Sequence, residues 1–290
     1  MSSKVFITGA DGFTGFYLSH YLEKSGYEVI KASIKKQKEG FVYCDICDKE
    51  SVKIALNHVN PEFVIHLAAI SFAPSDPNLI DKVNIGGSEN LLECLEMLEK
   101  KPKRVILASS ASVYGAQNSE ILAENLEPNP ISSYAKSKFK MEQTALKSSL
   151  DIIIARPFNY TGVGQAISFL IPKIVSHFKE KKSTIELGNL TPKREYNSVL
   201  DVVKIYEKLL HAKSEHKIFN IGSGVGYGVG DIVKFMQEIS GNSINIVQNP
   251  NFIRKDEAEI LISNTSRLKD CGLYFCKTDI KNILRWMYEN

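Results

Sequence analysis

An α/β fold with a doubly wound parallel sheet follows from three features of the first 156 residues. Short β-rich runs alternate with amphipathic stretches of helical length. The run at 63–67 is apolar but for His66, as in strands covered on both faces, and a glycine-rich turn joins the first run to the first helical stretch. Parallel neighbours cannot be joined by a tight turn, so helix-length connections imply right-handed crossover units.

Taken in order, residues 4–8 form the first strand candidate. Residues 13–24 then place Phe13, Phe16, Tyr17, Leu18, Tyr21 and Leu22 at helical spacing. Strand-like runs follow at 27–31 and 41–44, and Asp48 stands as an N-cap before a helix reaching about residue 59. A strand at 63–67, a long amphipathic helix over 79–101 and a strand at 104–108 come next. A helix over 132–147 and a strand at 151–156 complete the alternation. Beyond Arg156 the rhythm loosens: a polar, glycine-containing stretch at 158–165 precedes a helix at 169–179. Strands at 183–187 and 217–221 and helices at 230–240 and 278–289 follow irregularly. Residues 1–156 therefore read as one domain. Residues 157–290 read as a smaller lobe whose segments interleave back onto the first.

Composition narrows the function classes. The 290 residues are 43% apolar and 24% charged, with a formal charge of +3, too small to recruit a nucleic acid. No apolar run approaches the ~20 residues of a membrane span. The few residues before the first strand hold no apolar core, so no signal peptide is expected. Five cysteines suit reduced thiols in a cytoplasm. Cys44 and Cys47 form a CxxC, but Cys271 and Cys276 are wrongly spaced for a second ligand pair. The expectation is a strand end and no metal.

Residues 8–15, Thr8-Gly9-Ala10-Asp11-Gly12-Phe13-Thr14-Gly15, lie between a strand and a helix. Gly9 suits the tight turn, Gly12 lets a pyrophosphate approach the backbone, and Gly15 suits helix-to-sheet packing. The helix N-terminus behind them offers free N–H groups to an anion. This points to a dinucleotide and a Rossmann-like sheet, with Phe13 among the cofactor contacts. Residues 29–38, around the end of the second strand, hold no acid for a ribose 2′-hydroxyl but four lysines. Ser33 and Lys35 could instead bind a 2′-phosphate, which favours NADP(H) over NAD(H).

Tyr134 and Lys138 stand four apart on a helix, one turn on one face. Upstream, a strand ends in Ser109-Ser110-Ala111-Ser112-Val113-Tyr114-Gly115. Carbonyl/alcohol redox chemistry wants this set. An ammonium tunes a phenol whose free pKa is ~10, and a hydroxyl holds the substrate oxygen beside it.

These motifs occur in the order typical of the extended short-chain dehydrogenases/reductases, which the chain resembles over essentially its whole length. The likeness rests on the 8–15 loop, Asp45-Ile46, His66-Leu67-Ala68-Ala69 and Asn84. It continues through Ser109-Ser110, Val113-Tyr114-Gly115 and the Tyr134/Lys138 pair. The resemblance implies Tyr134 as acid/base, Lys138 as its partner and ribose ligand, and Ser110 as the catalytic serine. It implies Asp45 and Ile46 beside the adenine, Ala68 along the cofactor path, and a homodimer built on two long helices. Family members act mostly on nucleotide sugars.

The stretch Arg156-Pro157-Phe158-Asn159-Tyr160-Thr161-Gly162-Val163-Gly164-Gln165 is similar to the RPFNxxGPGQ segment of GDP-4-keto-6-deoxy-mannose reductases within that family, with Val163 where proline is usual. Asn159 and Ser112 are candidate substrate contacts. Arg194 and Arg254 are candidates for a sugar-nucleotide diphosphate, which a guanidinium clasps in bidentate fashion. The expectation is an NADPH-dependent reductase of a GDP-linked 4-keto-6-deoxy sugar. A nucleotide-sugar 4-epimerase and a non-catalytic NADP-sensing regulator are the alternatives.

Overall fold

The structure is a computed structural model that describes residues 2–71, 76–253, 258–274 and 277–290. Its first half runs β1 (Lys4–Thr8), α1 (Phe13–Lys24), β2 (Glu28–Ser33), β3 (Val42–Tyr43), α2 (Lys49–Val59) and β4 (Phe63–His66). It continues with α3 (Pro77–Asp81), α4 (Gly87–Glu96), β5 (Arg104–Ala108), α5 (Ser133–Ala145) and β6 (Ile152–Pro157). The second half adds β7 (Tyr160–Thr161), α6 (Leu170–Lys179), β8 (Thr184–Leu187), β9 (Lys193–Arg194), β10 (Asn197–Ser198) and α7 (Val199–Leu210). Then come β11 (Ile218–Ile221), α8 (Val229–Ser240), β12 (Asn245–Gln248), β13 (Ile260–Leu261), α9 (Ser266–Asp270) and α10 (Ile280–Glu289).

The central sheet has seven parallel strands in the order β3-β2-β1-β4-β5-β6-β11. Strand order reverses between β1 and β4, the place where such sheets open a ligand crevice at their carboxyl ends. Side chains alternate between two cores. Val5, Ile7, Ile65, Ile106 and Ile153 face α1 and α7, while Phe6, Val64, Val105, Leu107 and Ile154 face α2, α4 and α5. Both faces are therefore covered, which is why β1, β4, β5 and β6 each carry at least three apolar residues in succession.

One expected element is corrected. The single helix over 79–101 is instead α3, a π-helical turn at Lys82–Gly86, and α4 ending at Glu96. The π turn aims Asn84 at the backbone of Ile70, which it holds through both N–H (2.8 Å) and C=O (3.1 Å). Gly87 lies under Ile46, where a Cβ would come 2.6 Å from the isoleucine's terminal carbon. Leu98 then folds into the core rather than prolonging the helix.

The helix α7 has no counterpart in the expectations. Ser198 caps it, and its face of Val199, Val202, Val203 and Tyr206 packs with Leu18 and Leu22 of α1. A third core of Ile174, Phe178, Ile232, Met236, Ile283 and Leu284 joins α6, α8 and α10 into a helical layer beyond the sheet. The carboxylate of fully buried Glu195 ties this region together. It accepts from Ser223 N (2.6 Å), Gly224 N (3.1 Å), Ser263 Oγ (2.6 Å) and Asn197 Nδ2 (3.0 Å).

Candidate active site

The loops that follow β1, β2, β4, β5 and β6 meet at the carboxyl edge of the sheet. After β1 the chain closes tightly on itself. Gly9 sits at φ +67°, and a Cβ there would stand 2.7 Å from Ala68 N, so the turn excludes any side chain. A Cβ on Gly15 would strike the Gly9 carbonyl, so α1 packs against the loop at backbone distance. No side chain caps the first turn of α1 at Gly12. Bare amides at a helix start suit a pyrophosphate, so this cradle fits a dinucleotide.

Phe13 stacks on Tyr160 at 6.3 Å between ring centres, and Thr14 Oγ1 and the Tyr160 hydroxyl share a 2.7 Å hydrogen bond. Ser33 is buried at the end of β2, and Lys35 N donates to its hydroxyl at 3.1 Å. That hydroxyl in turn donates to Asp11 Oδ2 at 2.9 Å, and Lys35 and Lys38 lie 3.7 and 3.5 Å from the same oxygen. Asp45 accepts from Cys47 N, and Ile46 belongs to the core layer beneath α4. Cys44 is buried in that layer, where burial pushes its thiol up to about 12. His66 is held between Thr8 Oγ1 (2.7 Å) and Ser88 Oγ (2.9 Å). Burial lowers it to about 3, so it stays neutral.

The turn after β5 brings Ser110 to the phenol of Tyr134. Ser110 Oγ accepts from Ser112 N (3.1 Å) and from Ser112 Oγ (2.9 Å). With both acceptor sites filled, its own proton is left to donate to the Tyr134 oxygen. Ser112 thus touches Ser110. Burial raises the Tyr134 phenol above its ordinary value, and nearby Tyr160 adds to the rise while the Ser110 bond opposes it. Lys138, one turn along α5, is buried and donates to Ala108 O at 2.6 Å. Burial lowers its ammonium to about 8, against the pull of Glu142 toward the charged form.

Sequence reasoning missed Asp11, Tyr160 and Glu142. A signal existed for the last, because Tyr134, Lys138 and Glu142 repeat at four-residue steps along one helix face. Of the substrate candidates, Asn159 is exposed at the sheet edge, and its carbonyl accepts from Asn197 N at 2.9 Å. Arg194 is buried, and its guanidinium donates to the carbonyls of Lys193 (2.8 Å), Glu259 (3.0 Å) and Ala258. Arg254 and Cys276 lie outside the described residues.

The sequence pattern of the NAD dependent epimerase/dehydratase family matches residues 5–222. A GDP-6-deoxy-D-talose 4-dehydrogenase of Aggregatibacter actinomycetemcomitans is 37% identical, over 99% of this chain and 97% of its own. A GDP-6-deoxy-D-mannose reductase of Pseudomonas aeruginosa is 27% identical, over 98% and 96%. The NADPH complex of the Pseudomonas aeruginosa protein RMD superposes with a TM-score of 0.87 at 26% identity, covering 99% of this chain and 98% of that one.

Proposed function

The chain belongs to the NAD dependent epimerase/dehydratase family, and from that membership we propose that it reduces the C4 ketone of a GDP-linked 4-keto-6-deoxy sugar with NADPH. The observation that carries the reading is the Tyr134 phenol set against the Ser110 hydroxyl, with Lys138 one turn behind it. Talose and mannose differ only at C4. Oxidising the sugar named in either relative at that carbon therefore leads to the same ketone.

Gly9, Gly12, Phe13 and Gly15 would hold the pyrophosphate end of the dinucleotide. Ser33 and Lys35 would hold its 2′-phosphate, Asp45, Ile46 and Ala68 its adenine and path, and Lys138 its nicotinamide ribose. When bound, that group supplies the hydride. Ser110 and Tyr134 would both direct protons at the ketone oxygen and stabilise the charge that develops there. Tyr134 would then give up its proton. A phenol raised by burial is fully protonated at neutral pH, which suits an acid in the reducing direction. Asn159 and Arg254 remain the proposed substrate contacts, whereas the Arg194 guanidinium, turned to backbone carbonyls, and the Ser112 hydroxyl, given to Ser110, are already engaged within the protein. We also expect a homodimer and a cytoplasmic setting, which suits four free cysteines among the described residues.

Product analysis by NMR with GDP-, dTDP- and CDP-4-keto-6-deoxy sugars tests the reading. One NADPH consumed per GDP-sugar is expected. Absence of turnover on all three sugars overturns the reading, and turnover without NADPH loss points to an epimerase.

A further inference from the structure

The acid missing from the end of β2 is supplied from elsewhere. Asp11, in the glycine-rich turn, reaches across to Ser33, Lys35 and Lys38, and these are the groups a 2′-phosphate would use. We propose that Asp11 sets the cofactor preference: its carboxylate occupies the place of a 2′-phosphate among Ser33, Lys35 and Lys38, and so weakens discrimination between the phosphorylated and unphosphorylated dinucleotide. The inference rests on the reading of the 8–15 loop as a dinucleotide cradle.

The physical case has three parts. The carboxylate is an anion with oxygen acceptors, as a phosphate is, and it already takes the Ser33 proton at 2.9 Å. It also neutralises the two ammonium groups that would otherwise attract the phosphate, and Lys38 is further held over the Phe41 ring at 4.0 Å. A 2′-phosphate entering here must displace the carboxylate from Ser33 and tolerate its charge nearby. A ribose 2′-hydroxyl meets no such penalty, because it can donate to the carboxylate. Burial works against the charge of Asp11, but the Ser33 bond and Lys38 outweigh it and keep the carboxyl below its ordinary value. The anion is therefore present throughout the neutral range. Specificity is a difference between two affinities, and this carboxylate acts on one side of it.

The test is direct binding of NADPH and NADH, followed by nicotinamide fluorescence without any sugar. Asp11→Asn keeps the shape and removes the charge. It should tighten NADPH roughly tenfold and leave NADH unchanged or a few-fold weaker, the scale expected of one charge at a partly solvated contact. A second variant, Lys35→Ala with Lys38→Ala, should lose NADPH affinity and keep NADH affinity. An NADPH-to-NADH ratio that does not move in Asp11→Asn, or that moves toward NADH, overturns the role of Asp11. Wild-type protein that binds neither dinucleotide overturns the cradle reading along with it. Activity on sugars does not enter either measurement.

Discussion

Arg156 of β6 lies bidentate on Glu142 of α5, with Nε at 2.9 Å from one carboxylate oxygen and Nη2 at 2.6 Å from the other. Both side chains are at most 2% exposed. Ser109 donates to the same carboxylate, and the guanidinium lies 4.9 Å from the Tyr114 ring centre. The pair joins the helix that bears Tyr134 and Lys138 to β5 and β6, whose carboxyl ends lead into Ser109 and Asn159.

Breaking that pair from one side should be costly. Glu142→Gln leaves a buried guanidinium without its anion and is expected to lower stability by about 3–5 kcal/mol. Adding Arg156→Met should restore most of the loss, since neither charge then remains buried. Urea denaturation of the two variants decides it. A double variant no more stable than the single one would mean that packing matters more than charge here.

Tyr134→Phe should lower kcat by about 10²–10⁴-fold, the usual contribution of a positioned acid, while dinucleotide affinity stays within a few-fold of wild type. Ser110→Ala should be damaging but milder, because Tyr134 still reaches the ketone. Steady-state kinetics with a parallel binding titration separates the two effects. A Tyr134→Phe protein of full activity removes the mechanism.

The buried ammonium of Lys138 predicts a pH dependence with a definite sign. Its folded value is about 8, below the free-lysine value of 10.5, so between those limits the unfolded chain binds more protons. Stability at this site therefore rises with pH across that window. Below pH 8 the charged form costs the folded state about 3 kcal/mol relative to the neutral amine. Lys138→Met should raise the melting temperature at pH 7 and lose that advantage by pH 10.5, while abolishing reduction. Wild-type reductase activity should fall as pH rises through 8. A melting temperature lowered equally at both pH values would contradict this account.

The protein should not carry out a 4,6-dehydration. That elimination needs an acid/base for the C5 proton and the C6 hydroxyl, and the turn after β5 offers only Ala111 and Ser112 where a carboxyl would serve. Ala111 is buried, and the Ser112 hydroxyl is spent on Ser110. Glu124, the second acid along the chain after Glu120, accepts from Asn220 N at 3.0 Å and faces Arg267. GDP-mannose with NADP should therefore remain unchanged, and ketosugar accumulating in that tube would refute the assignment.

The sequence by itself determined the class of sheet, its first six strands and the position of the glycine turn. It also put Tyr134 and Lys138 on one helix face. Each of these follows from spacing within about ten residues, where periodicity and backbone sterics act locally. It did not reveal the break in the 79–101 helix, because the π turn answers to Ile70 and Ile46 rather than to its own propensity. The two-residue strands β7, β9, β10 and β13 are too short to carry a periodic signal. The stripe of Val199, Val202, Val203 and Tyr206 did carry one, and only its place against α1 showed what it covers. Tertiary structure alone decided the partners of the charged groups. Asp11 meets Ser33 from 22 residues away, Glu142 meets Arg156 across a helix-to-strand contact, and Arg194 turns to backbone carbonyls near residue 258. A charge is settled by whatever the fold brings within about 4 Å of it, and loops from different strands meet only once the sheet has formed.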